Sequence, residues 1–339
     1  MITFHPTISI RDLARALRTP TSEGMRRLSA LFPGNSIILT DSGRSALAVI
    51  IETLHLQGKR IALPAFLCNN LLPVLTHYGM IPTFLDVGDT FQPEPSAYLG
   101  TFDVALVVAT FGRQPNETLI MSLKNRGIIV IEDYAHMPLS QKTATLIGDA
   151  RYYSLPKIIP APDGGLSILP AGTSFTNLPR ASRSLSYTKN TFKLISWLNA
   201  LITRVRLFSK LQTNDVPTWN GIRALSRLSR QLLAHYSLYP LRSKDVDGYR
   251  YCFPLSVHNP QKIQRRLFAR GITAERLWFD PIVDSVVGIQ RKDFPHTDAF
   301  ALRTLCVPLW HLQNEDDVVS YERTLQDVLP NEFAGFGKK

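Results

Sequence analysis

The spacing of apolar positions changes twice along the chain, and the changes divide it. Residues 8–17 and 22–31 place apolar side chains three and four apart, which predicts two short helices, with Thr21 or Ser22 as an N-cap and Pro33-Gly34 as a stop. From Ser36 the pattern turns to short β-branched runs at 37–40, 60–63, 83–87, 104–109, 128–131, 151–154 and 166–169, with amphipathic stretches at 45–56, 68–78 and 115–126 between several of them. Strands alternating with helices of that length predict an α/β fold built on a mostly parallel mixed sheet with helices on both faces. Beyond the sheet, 187–211 reads as a long helix with Ile195, Leu198, Leu201, Ile202, Val205 and Phe208 on one face and Lys193 and Arg204 on the other. A helix at 222–238, a strand at 251–255, a helix at 260–270, a strand at 305–309 and a helix capped by Asn314 follow. The expected organisation is an N-terminal helical arm (1–35), a large α/β domain (36–240) with a helical insertion (187–238), and a small C-terminal α+β domain (241–339).

Composition narrows the classes. With 339 residues, 45% of them hydrophobic and only 19% charged, the chain can bury a large core and is not of disordered type. The formal charge of +11 favours anionic partners. The basic residues are scattered, which speaks against nucleic acid and leaves phosphorylated small molecules. Asn199, Thr203 and Arg204 interrupt the helix at 187–211, so a membrane span is not expected; packing on the protein body or a second subunit is the expected use, with lying on a membrane surface as the alternative. Arg223, Arg227 and Arg230 recur at helical spacing and face either a polyanionic substrate or solvent. Cys68, Cys252 and Cys306 lie far apart with no metal-ligand spacing, and residues 1–6 lack a secretory pattern; a reduced, cytoplasmic protein without a metal site is expected.

In a parallel sheet, ligands sit at the carboxyl ends of the strands, so the loops there carry the candidate chemistry. After the first strand, Ser42, Gly43, Arg44 and Ser45 open a helix and form either an anion-binding turn or an ordinary helix cap. After the second, Phe66 and Cys68 offer a surface to a flat ring or pack in the core. After the fifth, Asp133 with His136 three residues on is either a ligand-facing acid or a cap. After the sixth, Lys157 sits between Pro156 and Pro160 in apolar surroundings, seven residues before the pair Gly164-Gly165. A lysine amine kept uncharged in such a place attacks aldehydes, so a Schiff-base lysine is the working expectation. His311, past the strand at 305–309, either approaches the site or lies on the surface.

These segments, in this order, resemble the fold type I pyridoxal-phosphate enzymes and among them the DegT/DnrJ/StrS sugar aminotransferases. Ser42-Gly43-Arg44-Ser45-Ala46-Leu47 looks like the family's SGTxAL phosphate turn, and Pro64-Ala65-Phe66 like its VPAF segment. Asp86-Val87 looks like the VDV element, Glu132-Asp133-Tyr134-Ala135-His136 like the EDxAQ/H motif, and Ser154-Leu155-Pro156-Lys157 with Asp163-Gly164-Gly165 like the S-F-x-x-x-K…EGG block. The likeness covers 36–169 closely and 249–329 loosely. It implies pyridoxal 5'-phosphate as cofactor, bound through Lys157, with Asp133 on the pyridine nitrogen. It further implies His136 near the phenolic oxygen or ring face, the phosphate at the Arg44 and Ser45 amides and the Ser154 hydroxyl, and Phe66 or Cys68 against the ring. The implied reaction is amino transfer from an amino acid, glutamate by analogy, to a keto group of a nucleotide-activated sugar, in a homodimer. The retained Lys157 separates the chain from the family's dehydratase branch. Three departures stand out: the serine-to-lysine spacing is shortened by two, Arg44 replaces a threonine, and 171–247 holds no GxNxRM stretch. The last keeps an alternative open, a non-transaminating member that uses the pocket for binding or regulation.

Overall fold

The structure, a computed structural model, describes residues 2, 4–6, 10–140, 145–173, 219, 221–236, 245–309, 311–312 and 314–330. The helix expected at 187–211, and with it most of the insertion, lies outside these residues. So does most of the stretch searched for the asparagine motif.

Seven strands form the main sheet: β1 (Asn35–Thr40), β2 (Arg60–Pro64), β3 (Ile81–Leu85), β4 (Val104–Val108), β5 (Ile129–Asp133), β6 (Ala150–Ser154) and β7 (Gly165–Pro170). Their order is β1-β7-β6-β5-β4-β2-β3. The run from β6 to β3 is parallel, and only β7 is reversed, antiparallel to both β6 and β1. The reversal follows from length, because the link at 155–164 is too short to carry the chain back across the sheet as a parallel crossover requires. It also brings Gly165 opposite Thr40 on one side and Ser154 on the other, so the glycine pair lies at the edge where β1 and β6 end.

The helices on the sheet are α3 (Gly43–Thr53), α4 (Leu72–His77), α5 (Glu117–Asn125) and the short α6 (Leu155–Ile158). The stretch expected as one helix at 68–78 splits into a 3-10 turn, Asn69–Leu71, and α4, since Pro73 is tolerated only in a first turn. The third strand starts earlier than expected because Ile81 pairs with Arg60, and Asp86 turns out of the sheet. There it accepts from the His296 and Thr297 amides at 3.0 and 2.9 Å and from the Thr297 hydroxyl at 2.8 Å, capping a helix over two hundred residues on, Pro295–Arg303.

The arm helices α1 (Ile10–Arg18) and α2 (Thr21–Leu31) pack on α7 (Arg227–Tyr236), where the Gln231 side chain donates to the Leu17 carbonyl at 3.1 Å. Neither Thr21 nor Ser22 caps α2; the N-cap position is Pro20, with no side-chain cap. The helix α7 begins later than expected because Ala224 bridges to Thr40 of β1 in extended form. The C-terminal part holds β8 (Cys252–Ser256), α8 (Pro260–Ala269), α9 (Pro295–Arg303), β9 (Thr304–Pro308) and α10 (Glu315–Val328), with β8 and β9 antiparallel. Asn314 caps α10 reciprocally with Asp317, as expected. One apolar core is continuous from Ile61, Val104 and Leu106 in the main sheet to Leu255, Leu305 and Val307 in the small one. No described helix is long and apolar enough to cross a membrane.

Candidate active site

Three strand ends converge. The β5 strand runs two residues further than expected, because Glu132 and Asp133 continue the pairing with Val107 and Val108 of β4. The alternation of a strand then sends the two carboxylates to opposite faces. Glu132 is fully buried in a pair with Arg151, its Oε2 accepting from Arg151 Nε at 2.8 Å, while Oε1 accepts from the Ile147 amide at 2.9 Å. This pair is structural. Asp133 faces the site at 5% exposure, and its Oδ1 accepts from the Ala135 amide at 2.8 Å. Burial pushes its pKa up, against the Tyr152 hydroxyl, the Lys157 charge and the Ala135 amide. A buried acid in that balance is ready for a cationic partner.

Lys157 lies on α6, half-buried, and its Nζ is 3.0 Å from His136 Nε2. His136 is 3% exposed; its Nδ1 accepts from the Phe111 amide at 3.3 Å. Its ring stacks with Tyr251 at 4.4 Å and 13° and with Trp278 at 5.3 Å and 16°. Burial, with the charges of Lys157 and His5, holds its pKa well below the ordinary histidine value. Glu275 feels the Lys157 charge from the C-terminal part, and burial raises its pKa to about 7.

The third corner is the start of α3. Ser42 is the N-cap, its Oγ accepting from the Ser45 amide at 3.2 Å. Both hydroxyls also bond to Asp41, Ser42 at 3.1 Å and Ser45 at 2.6 Å. The cap reading of this turn therefore holds, and the Ser45 amide is already engaged. The first amides of the helix, at Gly43 and Arg44, emerge from its N-terminus as an anion site needs. Arg44 is half-buried beside them. Ser154, at the end of β6, adjoins the same turn: a Cβ on Gly43 would lie 3.2 Å from the Ser154 Cβ and 3.6 Å from its Oγ. Gly165 is tighter still, for a Cβ there would lie 2.1 Å from the Ser42 carbonyl oxygen. Gly164 supplies the turn with a φ of 139° and donates its amide to the Asp41 carbonyl at 2.7 Å. Burial raises the Asp41 pKa, and the Asp163 charge adds to the rise.

Phe66 takes the core alternative: it is fully buried, with Trp278, Phe91, Phe300 and Phe111 rings at 5.3 to 6.3 Å. Cys68 remains half-buried, its Sγ accepting from the Asn70 side-chain amide at 3.3 Å and its backbone bridged to Pro281. His311 is half-buried on Tyr321, with ring centres 4.6 Å apart, instead of at the surface. The expectations missed Tyr152, Phe111, Tyr251, Trp278 and Glu275. A signal existed for Tyr152 alone, since strand alternation puts it on the Ser154 face of β6.

The expected α/β fold is thus present, a mostly parallel sheet with one reversed strand and with candidate groups at the carboxyl ends of β1, β5 and β6. No family model and no curated protein sequence matches the chain. Solved structures do. Spr1654 from Streptococcus pneumoniae in its PLP form, assigned as a sugar aminotransferase, is similar over 96% of this chain and 97% of its own, with 19% identity and a TM-score of 0.67. DesI in the presence of its TDP-sugar product is similar over 96% and 90%, with 16% identity and a TM-score of 0.64. A DegT DnrJ EryC1 StrS aminotransferase from Brucella abortus is similar over 96% of both chains, with 16% identity and a TM-score of 0.61.

Proposed function

We propose that the protein is a pyridoxal-phosphate-dependent aminotransferase of the DegT/DnrJ/StrS type, moving an amino group from an amino acid, glutamate by analogy, to a keto group of a nucleotide-activated sugar. The observation that carries the reading is the convergence of an amine, Lys157, a buried acid, Asp133, and a glycine-lined helix start at Ser42–Ser45 on one sheet edge. The residues fit the cofactor. The absence of a side chain at Gly43 and Gly165 lets Ser154 and the Ser42 backbone close on the turn, beside amides suited to a phosphate. When bound, pyridoxal phosphate supplies an aldehyde and an electron-withdrawing ring.

The chain's own contributions follow from its geometry. Lys157 would supply the amine nucleophile, and its Nζ the base that takes up and returns a proton. Asp133, whose ionisation is costly without a cation, rewards protonation of the ring nitrogen. Gly43, Arg44 and Ser154 would hold the phosphate; the hydroxyls of Ser42 and Ser45, tied to Asp41, shape the turn. Cys68 stands where an aromatic ring would otherwise cover the cofactor, and Phe66, in the core, supports the site only from behind. The family analogy extends to a cytoplasmic homodimer and to arm, large and small domains at 1–35, 36–240 and 241–339.

The test is a half-reaction. Glutamate added to the pyridoxal-phosphate-loaded protein is expected to convert it to the pyridoxamine form with release of 2-oxoglutarate, reversed by a keto sugar nucleotide. A loaded protein that no amino acid converts would defeat the aminotransferase reading and favour binding or regulation.

A further inference from the structure

We infer that His5 is a positioning residue of the candidate site: it holds the Tyr251 side chain in the place from which the tyrosine ring covers His136. The inference deepens the proposed function and rests on that reading for taking the His136–Lys157 corner as the place of reaction.

Residues 2–6 fall within the expected helical arm, yet they bond to the C-terminal part. Ile2 bridges Ile272 in parallel, its amide donating to the Gly271 carbonyl at 2.6 Å and its carbonyl accepting from the Thr273 amide at 2.8 Å. A little further on, Glu275 exchanges backbone bonds of 2.9 and 2.8 Å with Cys306 of β9. The segment is thus tied, through 271–275, to the sheet that carries Tyr251 beside β8. Phe4 follows Ile2 into the core and is buried there, while His5 is exposed.

The Tyr251 backbone is fixed by other means. Its carbonyl accepts from the Leu309 amide at 3.2 Å, and its amide donates at 3.1 Å to the carbonyl of Phe111, in a turn where Phe111 adopts a φ of 56° and Gly112 one of 84°. A Cβ on Gly112 would strike the Tyr251 amide nitrogen at 2.7 Å, so the two chains approach as closely as glycine allows. These bonds leave the side chain free to turn. The segment removes that freedom: the Phe4 ring meets the Tyr251 ring edge to face at 5.7 Å and 90°, and His5 Nδ1 lies 3.1 Å from the Tyr251 hydroxyl. Tyr251 is buried, and a buried hydroxyl without a partner is costly; among the described residues His5 is its hydrogen-bond partner. So held, the tyrosine ring lies on the His136 imidazole at 4.4 Å and 13°, and His136 Nε2 stands 3.0 Å from Lys157 Nζ. Four side chains, His5, Tyr251, His136 and Lys157, are therefore in successive contact from the exposed segment to the amine.

The experiment uses the full chain without cofactor. Diethyl pyrocarbonate acylates accessible imidazoles, and the extent at each histidine is read by peptide mass spectrometry. His235, buried on α7 and outside this chain of contacts, is the internal reference. In His5→Ala, which removes no packed core, the ratio of His136 to His235 labelling is expected to rise about two- to tenfold, the change in open population that one hydrogen bond controls. His5→Asn, whose side-chain amide reaches the same hydroxyl, is expected to restore the wild-type ratio. In Tyr251→Phe there is no hydroxyl to hold, and adding His5→Ala is expected to change nothing further. With pyridoxal phosphate bound, the half-reaction with glutamate is expected to slow in His5→Ala and recover in His5→Asn. An unchanged ratio in His5→Ala overturns the inference, as does a parallel rise at both histidines, which marks general loosening. An undiminished effect of His5→Ala in the Tyr251→Phe background overturns it too, and so does an unchanged half-reaction. A protein whose cofactor no amino acid converts defeats the proposed function, while the labelling ratios still decide this inference.

Discussion

Replacing Gly165 by alanine tests the proposed phosphate turn through a contact the sequence does not display. The added Cβ would lie 2.1 Å from the Ser42 carbonyl oxygen, 2.4 Å from its carbonyl carbon and 2.7 Å from Thr40 Oγ1. Ordinary contact begins at about 3.4 Å, so β1 and β7 must separate locally by roughly 1 Å, at the residue pair Thr40 and Gly165 that closes their register. Overpacking of this kind costs about 1–3 kcal/mol. Ser42 moves with the strand end, and loss of its cap on α3 adds about 1 kcal/mol. The expected loss is therefore about 2–4 kcal/mol in urea unfolding, with pyridoxal phosphate affinity reduced at least tenfold. Gly43→Ala is the internal contrast: the nearest atom to its Cβ is the Ser154 Cβ, at 3.2 Å, and its expected cost is under about 1 kcal/mol. If Gly165→Ala unfolds within 0.5 kcal/mol of the wild type, the close approach is not a constraint and the reasoning fails.

Other perturbations separate the site from its frame. Glu275, raised from 4.5 to about 7, holds its proton more tightly folded than unfolded, so it adds nothing below pH 4.5 and weakens the fold as pH rises towards 7. That rise corresponds to on the order of 2–3 kcal/mol after screening, and Glu275→Gln should flatten the fall in stability between pH 5 and 8 by that amount; an unchanged slope would place the penalty elsewhere. Arg151→Met strands the buried Glu132 and should cost about 3–5 kcal/mol in denaturant unfolding, with Glu132→Gln in the same chain recovering part of it. Equal stability of the single and double variants would show that the pair is not coupled.

Most of the sheet was legible in the sequence, and the reasons are local. A run such as Val104–Val108, apolar throughout, has no other home than a strand buried on both faces. The glycine pair, Lys157, Asp133 and the Ser42 turn were visible because each marks a strand end. What stayed hidden depends on partners distant in sequence. Nothing near Phe66 shows that Trp278 and Phe300 will cover it. Nothing near Asp86 shows that it will cap the helix at Pro295–Arg303. The shift of the third strand has the same origin, since Arg60 sets where Ile81 pairs. The Phe111 turn was hidden for a different reason: a phenylalanine carries no sign that its φ will be positive, and only the packed Tyr251 and His136 make that conformation hold.

In the proposed function, Lys157 is the amine that would join pyridoxal phosphate to this fold. Borohydride reduction of the protein incubated with pyridoxal phosphate, followed by peptide mass spectrometry, addresses it directly. One dominant pyridoxyl adduct is expected, on Lys157, abolished in Lys157→Ala while the variant still folds. An adduct spread over surface lysines, or one that persists in Lys157→Ala, would contradict it.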